Sequence, residues 1–247
     1  HVGIHVGHGK NFIGDGYRSL FISDFPKNYV FLKFYTRVWK FHYQNIFAEL
    51  SDGVRESNTD VFPKKWMAAH YLSFQATPKL SVGMYETVIF DRESDQFEFQ
   101  YLNPFILYGL LVLHLGRPDN LLLGFNVRWD VFNSVRLFGQ IIFDEFRFDE
   151  LFGGNQWWGN KFAFQTGAKY INAFGIDQLD LQVEYNQSRP YTYSHRDSTG
   201  SYSHFNQPLA HPLGSNFQEF IFIARYRPTR RISLDGRVFV VSTSEDI

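Results

Sequence analysis

Between Gln178 and Arg227 the chain reads as strand, long polar loop, strand, and few folds accept that order. Leu179, Leu181, Val183 and Tyr185 fall on every second residue, with Gln178, Asp180, Gln182 and Glu184 between them. A strand sends alternate side chains to opposite faces, so one face here is apolar and the other carries carboxylates and amides. After the loop Asn186 to Asn216 the alternation resumes, with Phe220, Phe222, Ala224 and Tyr226 on one face and Ile221, Ile223 and Arg225 on the other. A connection of about thirty residues between two such strands is uncommon in a compact soluble domain. It is ordinary in a transmembrane β-barrel, where loops at one end are long and turns at the other are short.

At 247 residues with a formal charge of −1, nothing points to nucleic acid or to docking on anionic lipid. Mean hydropathy is −0.27, which argues against a helical membrane protein. It does not argue against a barrel, because a barrel keeps only half of each strand apolar. Phe, Tyr and Trp make up 19% of the chain, enough for the aromatic girdles of a barrel or for the core of a soluble sandwich. Cysteine is absent, which excludes disulfides and thiolate metal sites. His1 to His5 lacks the basic start and apolar core of a signal peptide, and Phe105 to Leu113 is too short for a membrane helix.

Val2, Ile4 and Val6 alternate with His1, Gly3, His5 and Gly7, so the chain opens mid-strand, which suggests an upstream segment. Gly9 to Gly16 is turn-like. It fails the Walker pattern because Asn11 follows Lys10, and it fails GxGxxG because position 12 is Phe. Tyr17 to Asp24 and Tyr29 to Leu50 are strand-like, the second turning near Arg37 to Lys40. Strands are expected over Trp66 to Thr77, Leu80 to Phe90, Leu121 to Phe132, Val135 to Phe146, Lys161 to Tyr170 and Ile232 to Val241. Phe105 to Leu115 fits a strand or a buried helix equally. Turns near 38, 78, 133, 174 and 229 are short, while connections near 57, 153 and 200 are long. The expected fold is therefore all-β, one unit over 1–247: a transmembrane antiparallel β-barrel of the outer-membrane type, as an incomplete segment of a larger barrel.

With the apolar stripes toward lipid, the polar residues Glu86, Arg136, Gln140, Asp144, Asp180 and Glu184 are expected to face the lumen. There they would either pair and brace a plugged interior or line a conduit. Carbohydrate sites combine aromatic faces, which stack on a sugar ring, with amides and charged groups that hydrogen-bond its hydroxyls. Asn155, Trp157, Trp158 and Asn160 offer these groups in one loop; Arg189, Tyr191, Tyr193, His195, Asn206 and His211 offer them in another. Any single Trp or Tyr among them also suits an interfacial anchor. The histidines show no metal-ligand spacing, so no metal and no other cofactor is assigned. His211, Ser215 and Asn216 are the residue types of the outer-membrane phospholipase triad, but their spacing differs from its compact His-x-Ser-Asn-Gly element.

Three stretches together resemble the capsule-assembly Wzi-like family of outer-membrane proteins. They are Gly9-Lys-Asn-Phe-Ile-Gly-Asp-Gly-Tyr-Arg-Ser-Leu20 with Ile22, Ser23 and Asp24; Phe138-Gly-Gln140 with Asp144 and Glu145; and Arg189-Pro-Tyr-Thr-Tyr-Ser-His195 followed by Pro208-Leu-Ala-His-Pro-Leu-Gly214. The resemblance implies a large barrel in the bacterial outer membrane that binds surface or capsular polysaccharide and helps anchor it to the cell exterior, as a lectin and not as an enzyme. Its partners would be outer-membrane lipid, the polysaccharide, and other outer-membrane or periplasmic proteins. Such barrels have more strands than are seen here, and the chain's last residues, Ser244 to Ile247, lack a terminal aromatic, so it is expected to be part of a longer protein. Related barrels of gliding bacteria serve secretion or motility complexes, which makes a structural role there the alternative. An outer-membrane lipid hydrolase is the remaining, weaker one.

Overall fold

The protein is described here by a computed structural model covering residues 1–53, 62–92, 97–103, 108, 119–144, 161–195 and 197–244. Its frame is one antiparallel sheet of eleven strands, each hydrogen-bonded to the next in sequence. The strands are β1 (Val2–Gly9), β2 (Tyr29–Val38), β3 (Phe41–Ser51), β4 (Lys64–Thr77), β5 (Leu80–Phe90), β6 (Asn120–Asp130), β7 (Val135–Asp144), β8 (Lys161–Tyr170) and β9 (Leu179–Ser188). A two-residue ribbon, β10 (Ser203–His204) with β11 (Gln207–Pro208), interrupts the following loop, after which β12 (Phe217–Thr229) and β13 (Ile232–Thr243) complete the sheet. Strands β1 and β13 are its two edges, so the sheet is part of a barrel. Among the described residues no helix is long and apolar enough to cross a membrane, which does not bear on crossing by strands.

The period-2 pattern sets the two faces. On β9 and β12, Val183 and Phe222 are 46% and 48% exposed, while Glu184 and Asn186 are 3% and 0% exposed. The register puts Val183 opposite Phe222, and Glu184 opposite Ile221. Leu137 and Phe125 lie on the outer side of β7 and β6, with Phe138, Gln140 and Ile142 on the inner side of β7. The expected lumen residues Gln140, Asp144 and Glu184 are buried inside, and Arg136 and Asp180 share their phase near the short turns. Strand β1 keeps Val2, Ile4 and Val6 on the exposed outer side, as its alternation predicts. Its inner side carries glycines because the rings of β2 lean over it: a Cβ on Gly3 would lie 2.1 Å from the Tyr35 ring.

Two expectations fail. Glu86 is not in the lumen. On β5 it is Tyr85 that faces inward, stacked on Phe21 at 4.7 Å, so Glu86 shares the outer face with Val82, Met84 and Val88. There it sits opposite His70 and accepts a hydrogen bond from the Tyr108 amide at 2.9 Å. A second apolar cluster covers this outer patch, with Phe47, Val88, Phe90, Tyr101 and Tyr108 buried in it. A tight node below it joins Arg92 to Asp119 at 2.9 Å and to Glu98 at 3.2 Å.

The second failure is Tyr17 to Asp24, which is not a strand of the sheet. Residues 10–28 leave the long-loop end of β1 and fold into the concave side, keeping only an isolated bridge between Ile13 and Ile22. Leu20, Phe21 and Ile22 are completely buried there, among Ile46, Met67, Tyr85, Leu122 and Ile142 from the wall. Burying each large side chain contributes about 1.5 to 3 kcal/mol. The β-branched and aromatic residues that suggested a strand are instead a plug. The segment left open by the sequence, Phe105 to Leu115, lies outside the described residues except for Tyr108.

A candidate binding face above an internal plug

A plug without a β-ladder must satisfy its backbone by other means. The wall supplies side chains for this. The Glu184 carboxylate accepts from two consecutive amides, Tyr17 N–H at 2.6 Å and Arg18 N–H at 3.1 Å. The Gln140 amide works on both sides of a bend: Oε1 accepts from Leu20 N–H at 2.8 Å and Nε2 donates to Ile13 O at 3.1 Å. Gln165 Nε2 donates to Arg18 O at 3.0 Å. Gly16 passes so close that a Cβ would lie 2.8 Å from both Gln165 Oε1 and Glu184 Oε2. The polar lumen face read from the sequence thus holds an internal segment through Glu184, Gln140 and Gln165, while Arg136 pairs with Asp130 of the adjacent wall strand.

The loop after β9 folds down onto the plug. Tyr193 donates from its hydroxyl to Leu20 O at 3.0 Å, and its N–H donates to Asp144 Oδ2 at 2.7 Å. Tyr202 donates to Phe21 O at 2.9 Å, so at 2.6 Å the Tyr85 hydroxyl must be the donor to Tyr202. Burial pushes the phenols of Tyr193 and Tyr202 well above their ordinary range, so both stay protonated donors. Ser23 N–H donates to Leu209 O at 2.8 Å, and Lys65 from β4 donates to Ser201 O at 2.9 Å.

Two histidines fix the same loop. His211 is fully buried; its Nδ1 accepts from Leu213 N–H at 3.2 Å and its Nε2 donates to Glu219 Oε2 at 2.7 Å. His204 repeats the arrangement, with Nδ1 accepting from Ser51 N–H at 3.1 Å and Nε2 facing Asn28 O at 3.2 Å. An imidazole with one acceptor and one donor nitrogen is neutral. Burial pushes both histidines below the usual imidazole value, against the opposing pull of Glu219 on His211 and of the Asn28 carbonyl on His204. His211 therefore has no lone pair left for Ser215.

The candidate sugar contacts separate accordingly. Tyr193 and His211, expected on the surface, are buried supports between loop, plug and wall. Arg189 and Tyr191 stand together at the outer end of β9. Tyr191 is 40% exposed at a left-handed φ of 62°, and the Arg189 guanidinium lies over the Phe162 ring at 5.4 Å. Beside them a cavity of about 200 Å³ is lined by Ser188, Arg189, Pro190, Asn216, Gln218 and Ser244. Asn206 is exposed but lies across the rim, against Gly53 after β3, and His195 covers Gly200. Asn155, Trp157, Trp158 and Asn160 lie outside the described residues. Sequence reading missed Glu219, although it is the one acid on an inner stripe of Phe217, Ile221 and Ile223. No cluster that could hold a metal ion occurs among the described residues.

No family model and no curated protein matches the chain. Among solved structures it is similar to Wzi of Escherichia coli, described as an outer-membrane protein involved in group 1 capsule assembly and as a carbohydrate-binding β-barrel. The two superpose with a TM-score of 0.74 at 14% identity, over 98% of this chain and 54% of that one. The chain thus has the Wzi-like barrel fold and spans about half the length of that barrel.

Proposed function

We propose that the chain is the plugged part of a bacterial outer-membrane barrel whose long-loop end binds surface or capsular polysaccharide, holding it without chemical change. The observation that carries this is the fixed shape of the loop after β9. Tyr191, Tyr193, Phe205, Asn206 and Asn216 all adopt left-handed backbone, and the buried Tyr193, Tyr202, His204 and His211 fasten the loop to the plug and the wall. A rigid base loses little conformational freedom when a flexible glycan binds to it. Tyr191 and Asn206 are exposed on that base and Arg189 is half-buried beside Tyr191, with Trp157 and Trp158 joining them on sequence grounds alone. The likeness to a carbohydrate-binding barrel supports the ligand class. The outer apolar stripe through Val183, Phe222 and Val240 suits lipid, which supports the outer membrane as location.

Full-length protein in detergent, titrated with polysaccharide from the producing cell's surface, tests this. Arg189→Ala with Tyr191→Ala should weaken binding about tenfold, a loss of about 1.4 kcal/mol. Asn133→Ala in a short turn at the other end should leave it unchanged. Equal affinity in all three proteins would refute the assignment.

A further inference from the structure

The opposite end of the lumen is built differently. Beneath the plug, a cavity of about 490 Å³ lies between Phe12–Asp15 and the inner faces of β2 to β6. That size suits a small ligand. Its basic side chains are Arg37, Lys40, His42 and Arg128, against the single acid Asp15. Arg128 is committed to Asp15 at 3.6 Å and to Gln75 Oε1 at 3.2 Å, and Lys40 donates to Ala76 O at 3.3 Å. Arg37 and His42 are different. They are directly opposed across β2 and β3, and neither side chain has a hydrogen-bond or ion-pair partner among the described residues.

Two basic groups facing each other across a strand pair repel whenever both are charged. An anion between them removes that cost, and a guanidinium grips a carboxylate through two parallel hydrogen bonds. Around this pair the wall is not apolar. Gln44, Ser73 and Asn126 contribute amides and a hydroxyl, and Trp39, 75% exposed at the mouth, offers a ring face. Carboxylate-binding cations, amides and an aromatic plane in one cavity are the groups that recognise a hydroxylated acid. We infer that this cavity is a second ligand site, for an acidic sugar, at the end of the lumen away from the long loops. It stands whether or not the long-loop face binds polysaccharide.

Calorimetry on full-length protein in detergent tests it with two probes of equal length, trigalacturonate and neutral maltotriose. Trigalacturonate should bind saturably and maltotriose at least about tenfold more weakly, a comparison that needs no variant. Arg37→Gln with His42→Gln should abolish the preference, while Arg189→Ala with Tyr191→Ala should preserve it. Equal binding of both probes, no saturable binding, or an unchanged preference in the Arg37/His42 variant would overturn the site. Displacement of trigalacturonate by an equal concentration of inorganic phosphate would overturn its sugar character.

Discussion

Arg18, near the start of the chain, pairs with Glu219, 201 residues later, through Nη2 and Oε1 at 3.1 Å. Glu219 is 1% exposed and also accepts from His211 and, at 3.2 Å, from Asn186 Nδ2. One carboxylate thereby joins plug, long loop and two wall strands. Its Oε2 has three donors, Arg18 Nε at 3.4 Å among them, and its Oε1 has Arg18 Nη2, so removing it strands several groups at once.

Glu219→Gln should lower stability by about 2 to 3 kcal/mol, less than the roughly 3 to 5 kcal/mol typical of a fully buried pair, because Arg18 is 23% exposed. The double variant Arg18→Met with Glu219→Met should cost less than the sum of the two single changes, since it leaves no unpaired charge. Urea unfolding of the unaltered protein, Glu219→Gln, the two single Met variants and the double Met variant measures both numbers. Strict additivity would mean the pair is not coupled.

Acid should loosen the cap. The folded state holds His204 and His211 neutral below the ordinary imidazole value, so the unfolded chain takes up protons first as pH falls. Their contribution to stability is complete above about pH 6.5 and declines as the pH drops below it. Chymotrypsin cleavage after the buried Tyr202 should therefore be slow at pH 7.5 and faster in protein pre-equilibrated at pH 5. Replacing both histidines with Gln, which keeps a donor and an acceptor, should flatten that dependence. A rate independent of pre-equilibration pH in the unaltered protein would contradict the neutral assignment.

The outer face makes its own prediction. Val183 lies mid-strand and 46% exposed, so Val183→Arg places a charge where lipid is proposed and should cost about 2 to 4 kcal/mol. Folding yield into lipid vesicles measures it. Normal assembly of that variant would count against membrane insertion.

At Gly16 the plug meets the wall too closely for any side chain, since a Cβ would stand 2.9 Å from the Arg18 carbonyl as well as against Gln165 and Glu184. Gly16→Val should lift the plug at a cost of about 1 to 3 kcal/mol. Faster hydrogen exchange at the Tyr17 and Arg18 amides would report it.

The sheet was legible because period-2 alternation is a local signal: Val183 and Glu184 announce their faces without reference to anything distant. Short turns such as Pro78-Lys79 were equally local. The plug was not legible. Tyr17 to Asp24 has strand-forming residues, and only their bonding to Glu184 and Gln140, more than a hundred positions away, makes them an internal segment. Glu86 was misassigned for a related reason. Alternation on β5 is blurred by a run of apolar residues on both faces, because an outer covering buries Val88 and Phe90 as the plug buries Tyr85 and Ile89. In the long loop exposure was not legible, because it depends on whether a ring meets the plug, as Tyr193 does, or solvent, as Tyr191 does.

The absence of cysteine from these 247 residues permits one direct test of the whole arrangement. Tyr191→Cys, in the full-length protein on intact cells, is exposed to a large maleimide that cannot cross the outer membrane, with and without added surface polysaccharide. The account predicts rapid labelling that the polysaccharide slows severalfold, and no labelling of Asn133→Cys until the membrane is permeabilised. Labelling of Asn133→Cys but not Tyr191→Cys on intact cells, or labelling of Tyr191→Cys at a rate the polysaccharide does not change, would contradict it.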